Sequence, residues 1–495
     1  MNSSINTQLA AIDLGSNSFH LTIAREVQGE LQLFDRLAEK VQLAAGLNHC
    51  SELSDEAIER GLNCLRMFAQ RLQGVEKKLI RVVGTNTLRM ARNRQQFIQR
   101  AESILGCPVE VISGREEARL IYLGVAHSFS DDQEQRLVVD IGGGSTEFIL
   151  GKHFSPLQLE SLQMGCISYS QRFFPLGLLT KEAFSMATNS AHRELLNIGY
   201  RYRKAGWTEV VGSSGTIKAA YQLLSADEYT YQPITLRALT QFREQLIEVG
   251  HIHGIHREGL KDKRAAVLPA GIAILIAVFE ALNIESMSYS DGALREGLLY
   301  DHIGRLQHED VRERSVIALM ERYHTDLEQG DAVERTALNC LCQINLNTDE
   351  NCDLISWAAR LHEIGLSISH SQFQKHGAYL VQHSDLMGFN QSDQAILALL
   401  IRGHRRKLPV AELELMPSDR QQDLLTLMIL LRLAVLLHRS RQAQSVPCFE
   451  FSFGDDRLIR IVFPDNWLNQ HPLTRADLEQ EASYLQSVNI DISVR

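Results

Sequence analysis

The chain has 495 residues, 44% hydrophobic and 22% charged, with a formal net charge of −10 at pH 7. This length exceeds what one hydrophobic core organises, so three or four domains are expected, and the composition is that of a globular protein. The negative balance excludes a general nucleic-acid binder, and any anionic ligand must be drawn in by local basic patches.

Met1–Leu9 is polar and carries no secretory pattern. Eight cysteines are scattered without a C-x-x-C pair, Cys340 and Cys342 being nearest neighbours, which predicts reduced thiols in a cytoplasmic protein. The apolar stretch Ala265–Phe279 is interrupted by Pro269 and is too short for a membrane span, and Leu424–Leu437 carries Arg432. Both read as buried core helices, leaving only peripheral contact with the inner face of a membrane.

In chain order, strands are predicted at Ala10–Leu14, Phe19–Arg25, Leu31–Arg36, Ile80–Gly84 and Val109–Ser113, with helices at Ser54–Leu72 and Arg94–Leu105. The first two strands flank Asp13-Leu14-Gly15-Ser16-Asn17-Ser18. The same plan returns at Val138-Val139-Asp140-Ile141-Gly142-Gly143-Gly144-Ser145-Thr146, followed by Glu147-Phe148-Ile149-Leu150. Each copy is strand, Asp-x-Gly, small-residue turn, strand. Such turns expose backbone amides that suit phosphate, and an Asp at the strand end can hold a divalent cation. A single copy would be an ordinary hairpin; two suggest a duplicated domain with phosphate loops facing across a cleft. Val211-Gly212-Ser213-Ser214-Gly215-Thr216 and Ser290-Asp291-Gly292 each lead from a strand into a helix, where an N-terminus favours an anion.

From residue 306 the pattern turns helical, at Ser315–Tyr323, Ala332–Ile344, Leu354–Ile364, Ala378–Gln382, Gln394–Arg402 and Leu424–His438. Phe449–Phe453 and Arg457–Phe463 then read as a hairpin about Gly454-Asp455-Asp456. The expected domains are 1–120, 121–305, 306–442 and 443–495.

Phosphoanhydride chemistry needs charge neutralised on non-bridging oxygens. Asp140 and Glu147, seven residues apart across the glycine turn, can reach one mouth and with a substrate phosphate hold Mg²⁺, Asp13 assisting from the first loop. The competing readings are a turn cap for Asp140 and a solvated strand residue for Glu147. Arg89 has the chemistry of a bidentate phosphate clamp. Ser16, Asn17, Gly142, Gly143, Gly144, Ser145, Gly212, Ser213, Ser214, Gly215 and Thr216 form the predicted phosphate-binding loops, and Lys218 is either a further cation or a solvated lysine. In Ser113-Gly114-Arg115-Glu116 the spacing is that of a capping box, with Glu116 reaching back to the cap amide. His251, His253 and His256 have no accompanying ligand spacing, which argues against a metal site. The run Arg402-Gly403-His404-Arg405-Arg406-Lys407 is either a solvated face or a distal track for a polyanion.

These stretches, together with Gly84-Thr85-Asn86-Thr87-Leu88-Arg89, Glu116-Glu117-Ala118-Arg119-Leu120-Ile121-Tyr122 and Asp291–Gly297, resemble the exopolyphosphatase and guanosine pentaphosphate phosphohydrolase family over essentially the whole chain. The resemblance implies an α/β fold of two actin- and hexokinase-like (ribonuclease H-like) domains about a cleft. An all-α HD-like domain and a small α+β domain would follow. It implies that Glu117 is the catalytic base, that Mg²⁺ is the cofactor and that the protein is a homodimer. It also implies processive release of orthophosphate from polyphosphate. The alternative substrate is guanosine pentaphosphate (pppGpp, giving ppGpp), with one protein able to use both. A nucleotide-dependent kinase or ATPase of the superfamily is a more distant rival, because fold alone does not fix chemistry. Leu361-His362-Glu363 resembles the His-Asp pair of HD phosphohydrolases, but Glu363 replaces the Asp and Val435 stands where that superfamily would place a further Asp, so the domain is expected to be a scaffold.

Overall fold

In a computed structural model of the chain, residues 8–27, 30–128, 135–224, 233–255, 262–306, 311–384, 386–441, 446–454 and 457–495 are described. The chain divides into two compact units, Met1–Glu309 and Asp310–Arg495.

The first unit is built twice on one plan. Strands β1 (Gln8–Leu14), β2 (Phe19–Val27) and β3 (Glu30–Glu39) form an antiparallel meander. Helix α1 (Asp55–Arg71) leads to β4 (Ile80–Gly84), which lies parallel to β1. Ser54 caps α1 by accepting from the Ala57 amide, and Ala57, Ile58, Leu62, Leu65 and Phe68 form its buried stripe. The short α2 (Asn86–Met90) and α3 (Arg94–Leu105) precede β5 (Val109–Val111), parallel to β4, and then α4 (Gly114–Ala126). The sheet order is β3-β2-β1-β4-β5.

The second half repeats this connectivity. Strands β6 (Gln135–Ile141), β7 (Thr146–Lys152) and β8 (Ser155–Leu162) form the meander. Helices α5 (Cys166–Phe173) and α6 (Lys181–Ala205) lead to β9 (Glu209–Ser213), parallel to β6. After α7 (Ser214–Leu224), α8 (Leu236–Val249), α9 (Asp262–Ala265) and α10 (Leu268–Leu282), β10 (Ser288–Tyr289) pairs with β9, and α11 (Leu294–Leu306) closes the unit. The order β8-β7-β6-β9-β10 repeats the first sheet strand for strand. Helix α10 is buried on nearly every face, which explains its unbroken apolar sequence; Pro269 occupies its first turn, where the missing amide costs nothing. No helix among the described residues is long and apolar enough to cross a membrane.

The helices after the two sheets are exchanged. Helix α4, which follows the first sheet, packs on β7 and β8; α11, which follows the second, packs on β1, β2 and β4. The two helices meet backbone to backbone. A methyl on Gly297 would lie 1.8 Å from the Leu120 carbonyl oxygen, and one on Gly124 would lie 2.1 Å from that of Ala293. The glycines of the 291–297 motif thus serve helix contact. Beside them lies a buried ion network. Arg81 pairs with Glu110 (3.1 Å) and with Asp301, while Arg119 pairs with Asp301 (2.5 Å) and with both oxygens of Glu116 (2.8 Å each). The expected domain boundary at 120/121 therefore falls inside α4, a helix that belongs to both halves.

The second unit comprises α12 (Val311–Arg322), α13 (Leu327–Gln343), α14 (Asp349–Leu361), α15 (Phe373–His383), α16 (Gln391–Gly403), α17 (Val410–Glu414) and α18 (Gln421–Leu437). They are followed by β11 (Glu450–Phe453), β12 (Leu458–Val462), α19 (Trp467–Gln470), α20 (Pro472–Leu485) and β13 (Asp491–Val494). The three strands form one sheet, β11-β12-β13. Its Phe451, Ile459 and Ile461, with Leu485 and Ile490, share one core with the helices, so residues after 446 do not stand apart. The expected boundary at 442/443 and the turn residues Asp455 and Asp456 lie outside the described residues.

Candidate active site

The two hairpins place equivalent residues in register. Asp13 lies opposite His20 on β1/β2, and Asp140 opposite Glu147 on β6/β7. Directly opposed residues project to the same face of the sheet, so Asp140 and Glu147 lie side by side, Asp140 lining the cleft and Glu147 buried. The turns between the strands approach each other closely: a methyl on Gly143 would come within 3.1 Å of Ser16 Cβ, and one on Gly144 within 2.4 Å of Asn86 Oδ1. A cleft of about 390 Å³ opens between them, and the Asp13, Asp140 and Glu117 side chains line it.

These acids are more crowded than their donors neutralise. Burial, and after it the charge of Glu117, pushes Asp13 up to about 7. Burial likewise raises Asp140 to about 7 and holds Glu147 well above the usual carboxylate range. Ser161 donates to Glu147 Oε1 at 2.8 Å. Asp13 Oδ1 is buried with no hydrogen-bond partner. A concentration of buried anionic oxygen, one atom of it orphaned, fits a cation. No three His, Cys, Asp or Glu side chains among the described residues form a closed metal cage. That agrees with a hard cation taking one or two carboxylates and completing its shell with water and phosphate.

Ser113 caps α4, its Oγ accepting from the Glu116 amide at 3.1 Å. The Glu116 carboxylate is held bidentately by Arg119 inside the ion network, which gives it a structural role. Glu117, in the same first turn, faces the cleft. Arg89 Nη1 donates to Glu117 Oε2 at 2.7 Å and to the Ile112 carbonyl at 3.0 Å.

Of the predicted phosphate ligands, Ser16, Asn17, Gly142, Gly143, Gly144, Ser145, Ser214, Gly215 and Thr216 line the cleft. Ser214 begins α7 with φ at +86°, a strained value for a residue with a side chain, at the turn from β9 into the helix. Three predicted ligands lie elsewhere. Gly212 is inside buried β9, Ser213 is fully buried with its hydroxyl donated to the Gly292 carbonyl, and Arg89 stands behind Glu117 rather than in the cleft.

The cations that do line the cleft are Arg36, Lys218, Arg264 and Arg295. Arg36 pairs with Glu296 at 3.0 Å and Lys218 with Asp291 at 2.7 Å. Arg295 donates to His20 Nδ1 at 3.2 Å. A guanidinium cannot accept, so His20 carries its proton on Nε2, and burial together with Arg295 and Arg264 pushes its pKa down to about 3. Arg264 lies over the start of α7, where a methyl on Gly215 would meet its Nη2 at 2.3 Å. Sequence reasoning missed Arg264 because it sits in a four-residue helix without a motif; the signal that could have found it is Gly215, whose missing side chain leaves room for it.

In the second unit, Arg402, Arg406, Lys407 and Lys375 line a separate groove of about 750 Å³. Arg405 stacks its guanidinium over Phe373, 4.6 Å from the ring centre. His404 is not on that surface. It is 1% exposed, packed against His362 and Phe373, with Nδ1 bonded to the Ile401 carbonyl at 2.7 Å, and burial holds its pKa well below that of ordinary imidazole. The loop is fixed from within: buried Arg432 donates to the Gly403 and Arg406 carbonyls and pairs with Glu481. His251 has both ring nitrogens engaged by backbone, and His256 lies outside the described residues.

Residues 22–306 match the model of the Ppx/GppA phosphatase family, and residues 311–482 match the model of its domain III. The chain belongs to the Ppx/GppA phosphatase family. It is 41% identical over 482 residues to a guanosine-5'-triphosphate,3'-diphosphate pyrophosphatase of Photobacterium profundum, covering 97% of this chain and 96% of that one. The crystal structure of the Aquifex aeolicus Ppx/GppA family member aligns with a TM-score of 0.52 at 28% identity, covering 61% of this chain and 99% of its own. An exopolyphosphatase from Cytophaga hutchinsonii aligns with a TM-score of 0.54 at 25% identity, over 61% and 98%. The Ppx/GppA fold is the duplicated actin-like arrangement expected from the sequence, followed by a helical domain with a small terminal sheet. As a Ppx/GppA phosphatase the protein is a hydrolase of phosphoanhydride bonds.

Proposed function

We propose that the cleft of the first unit releases terminal orthophosphate from both inorganic polyphosphate and guanosine pentaphosphate, with water as acceptor. The observation that carries this reading is the pair of facing small-residue loops with Glu117, Asp13 and Asp140 between them and Glu147 buried opposite Asp140. Phosphate oxygens would rest on the turn residues Ser16, Asn17 and Gly142–Ser145, on the start of α7, and on the guanidiniums of Arg264 and Arg295. Glu117 takes one proton from the water as its oxygen attacks the terminal phosphorus. The bridging P–O bond breaks, and its electron pair leaves with the shortened chain. Asp13 and Asp140, which line the cleft, are the residues that would hold Mg²⁺, with Glu147 buried opposite Asp140. The bound ion would neutralise charge developing on the phosphoryl oxygens.

The Photobacterium profundum relative supports a guanosine substrate. The Cytophaga hutchinsonii structure and the basic groove at Arg402, Arg406 and Lys407, taken as a distal polyanion track, support polyphosphate. A homodimer belongs to the same reading and is checked by light scattering. The deciding assay is phosphate release from long polyphosphate, guanosine pentaphosphate and ATP side by side. One cleft for two substrates requires each to inhibit the other competitively, with an inhibition constant equal to its own KM. Release from ATP alone would overturn the reading.

A further inference from the structure

We propose that Arg89 is a positioning residue for Glu117, deciding which carboxylate oxygen meets the attacking water, and that it is not a ligand of substrate phosphate. This rests on the reading of Glu117 as general base.

Three observations carry it. The first is that one guanidinium nitrogen does two tasks: Nη1 donates to Glu117 Oε2 at 2.7 Å and to the Ile112 carbonyl, at the end of β5, at 3.0 Å. The carboxylate is thereby tied to the rigid edge of the first sheet. Charge-assisted bonds of this length are the strong class, and the planar guanidinium fixes direction as well as distance. The second is that the donors Arg89 has left are out of reach of a substrate in the cleft. It does not line the cleft, and its Nη2 is shielded from solvent and bonds to nothing. A phosphate could reach Nη1 only by displacing Glu117. The third is that the stem of Arg89 is itself anchored. Its amide donates to the Thr85 carbonyl at 3.0 Å and its carbonyl accepts from Arg94 Nη1 at 3.1 Å, within the short α2.

The arrangement answers an electrostatic problem. Glu117 shares the cleft with Asp13 and Asp140, whose negative charge repels its carboxylate. Arg89 holds it there from the far side. With Oε2 bound to the guanidinium, Oε1 is the oxygen that receives the proton of the water. Misplacing a base by about 1 Å is enough for large losses in rate, without any change in how substrate is held.

The test is a double-mutant cycle on the full chain, with kcat and KM for long-chain polyphosphate and for guanosine pentaphosphate. Arg89→Met is expected to lower kcat by about 10²-fold and to change KM by less than about threefold. Glu117→Gln lowers kcat, and Arg89→Met added to it lowers kcat no further. Arg89→Lys, which keeps the charge on a shorter stem, should fall between wild type and Arg89→Met in kcat at unchanged KM, and decides the matter if Arg89→Met does not fold. A rise in KM with kcat spared, or full multiplication of the two losses in the double variant, overturns the positioning role. Wild-type kcat in Glu117→Gln would instead remove the base assignment beneath it.

Discussion

Neighbouring glutamates in one helical turn have opposite consequences. Glu117→Gln removes the proton acceptor, leaves the Glu116–Arg119 network untouched and keeps an amide oxygen for Arg89, so turnover should fall by roughly 10²–10⁴-fold with a smaller change in thermal unfolding than Glu116→Gln. Glu116 is bound to Arg119 in a buried network, and losing one partner of such a pair costs about 3–5 kcal/mol. Glu116→Gln should therefore lower the unfolding midpoint while residual folded enzyme keeps near-normal kcat. Equal loss of kcat in both folded variants would show that the roles are misassigned. Arg264 makes the complementary case. Among the described residues no carboxylate pairs with it, so Arg264→Ala should raise KM by about 10–100-fold, the worth of a charge-assisted phosphate contact, with little change in the Mg²⁺ required. Asp140→Asn should do the reverse, shifting the Mg²⁺ titration of activity to higher concentration.

At the level of elements, the strands and turns were legible because their physics is local. An apolar run, Asp-x-Gly and small residues encode a hairpin whichever fold surrounds it, and Asp140 and Glu147 reach one face simply because a strand alternates. The partners of Arg89 and His404 were not legible. Each is a basic residue by composition, and whether it meets a phosphate or a carboxylate, solvent or another ring, is set by elements distant in the chain. The helix contact made by the glycines of residues 291–297 was not legible for the same reason: Gly297 is required by Leu120, far earlier in sequence. Gly297→Ala should thus act on helix packing. Its methyl meets a backbone carbonyl that cannot rotate away, at a cost of at least about 1–3 kcal/mol. Because α4 carries Glu117, kcat should fall together with the melting temperature. Loss of stability at unchanged kcat would mean that α4 tolerates displacement.

For the whole molecule, the two units should respond to pH in opposite directions. In the second, burial lowers the pKa of His362 and His404, so below the ordinary imidazole value the unfolded chain binds more protons than the folded one. Stability there falls as pH drops below about 6.5, by up to about 1.4 kcal/mol per pH unit for each histidine. In the metal-free first unit, burial raises Asp13 and Asp140 to about 7 and Glu147 well above its usual range; the lowered His20 and His127 offset part of this, and the folded state still binds more protons between about pH 4 and 7. Its stability falls as pH rises through that window. Calorimetry in chelator should show the two transitions moving apart in opposite senses between about pH 5 and 7.5, and a common direction would refute the protonation states assigned to one unit.

The exchanged helices also bear on how the chain can be made. Arg81 and Arg119 receive the Asp301 carboxylate from 220 and 182 residues further along. A nascent chain that has emerged only through β5 and α4 would have to bury two guanidiniums with that counter-charge still unsynthesised. The first sheet also lacks α11, which covers β1, β2 and β4. During translation the N-terminal half therefore has no stable resting state of its own, and the duplicated halves cannot mature one after the other as their repeated topology invites. They must commit together once α11 leaves the ribosome. A fragment ending at Ala126 should be unfolded and bound by chaperones, whereas one ending at Glu309 should fold cooperatively.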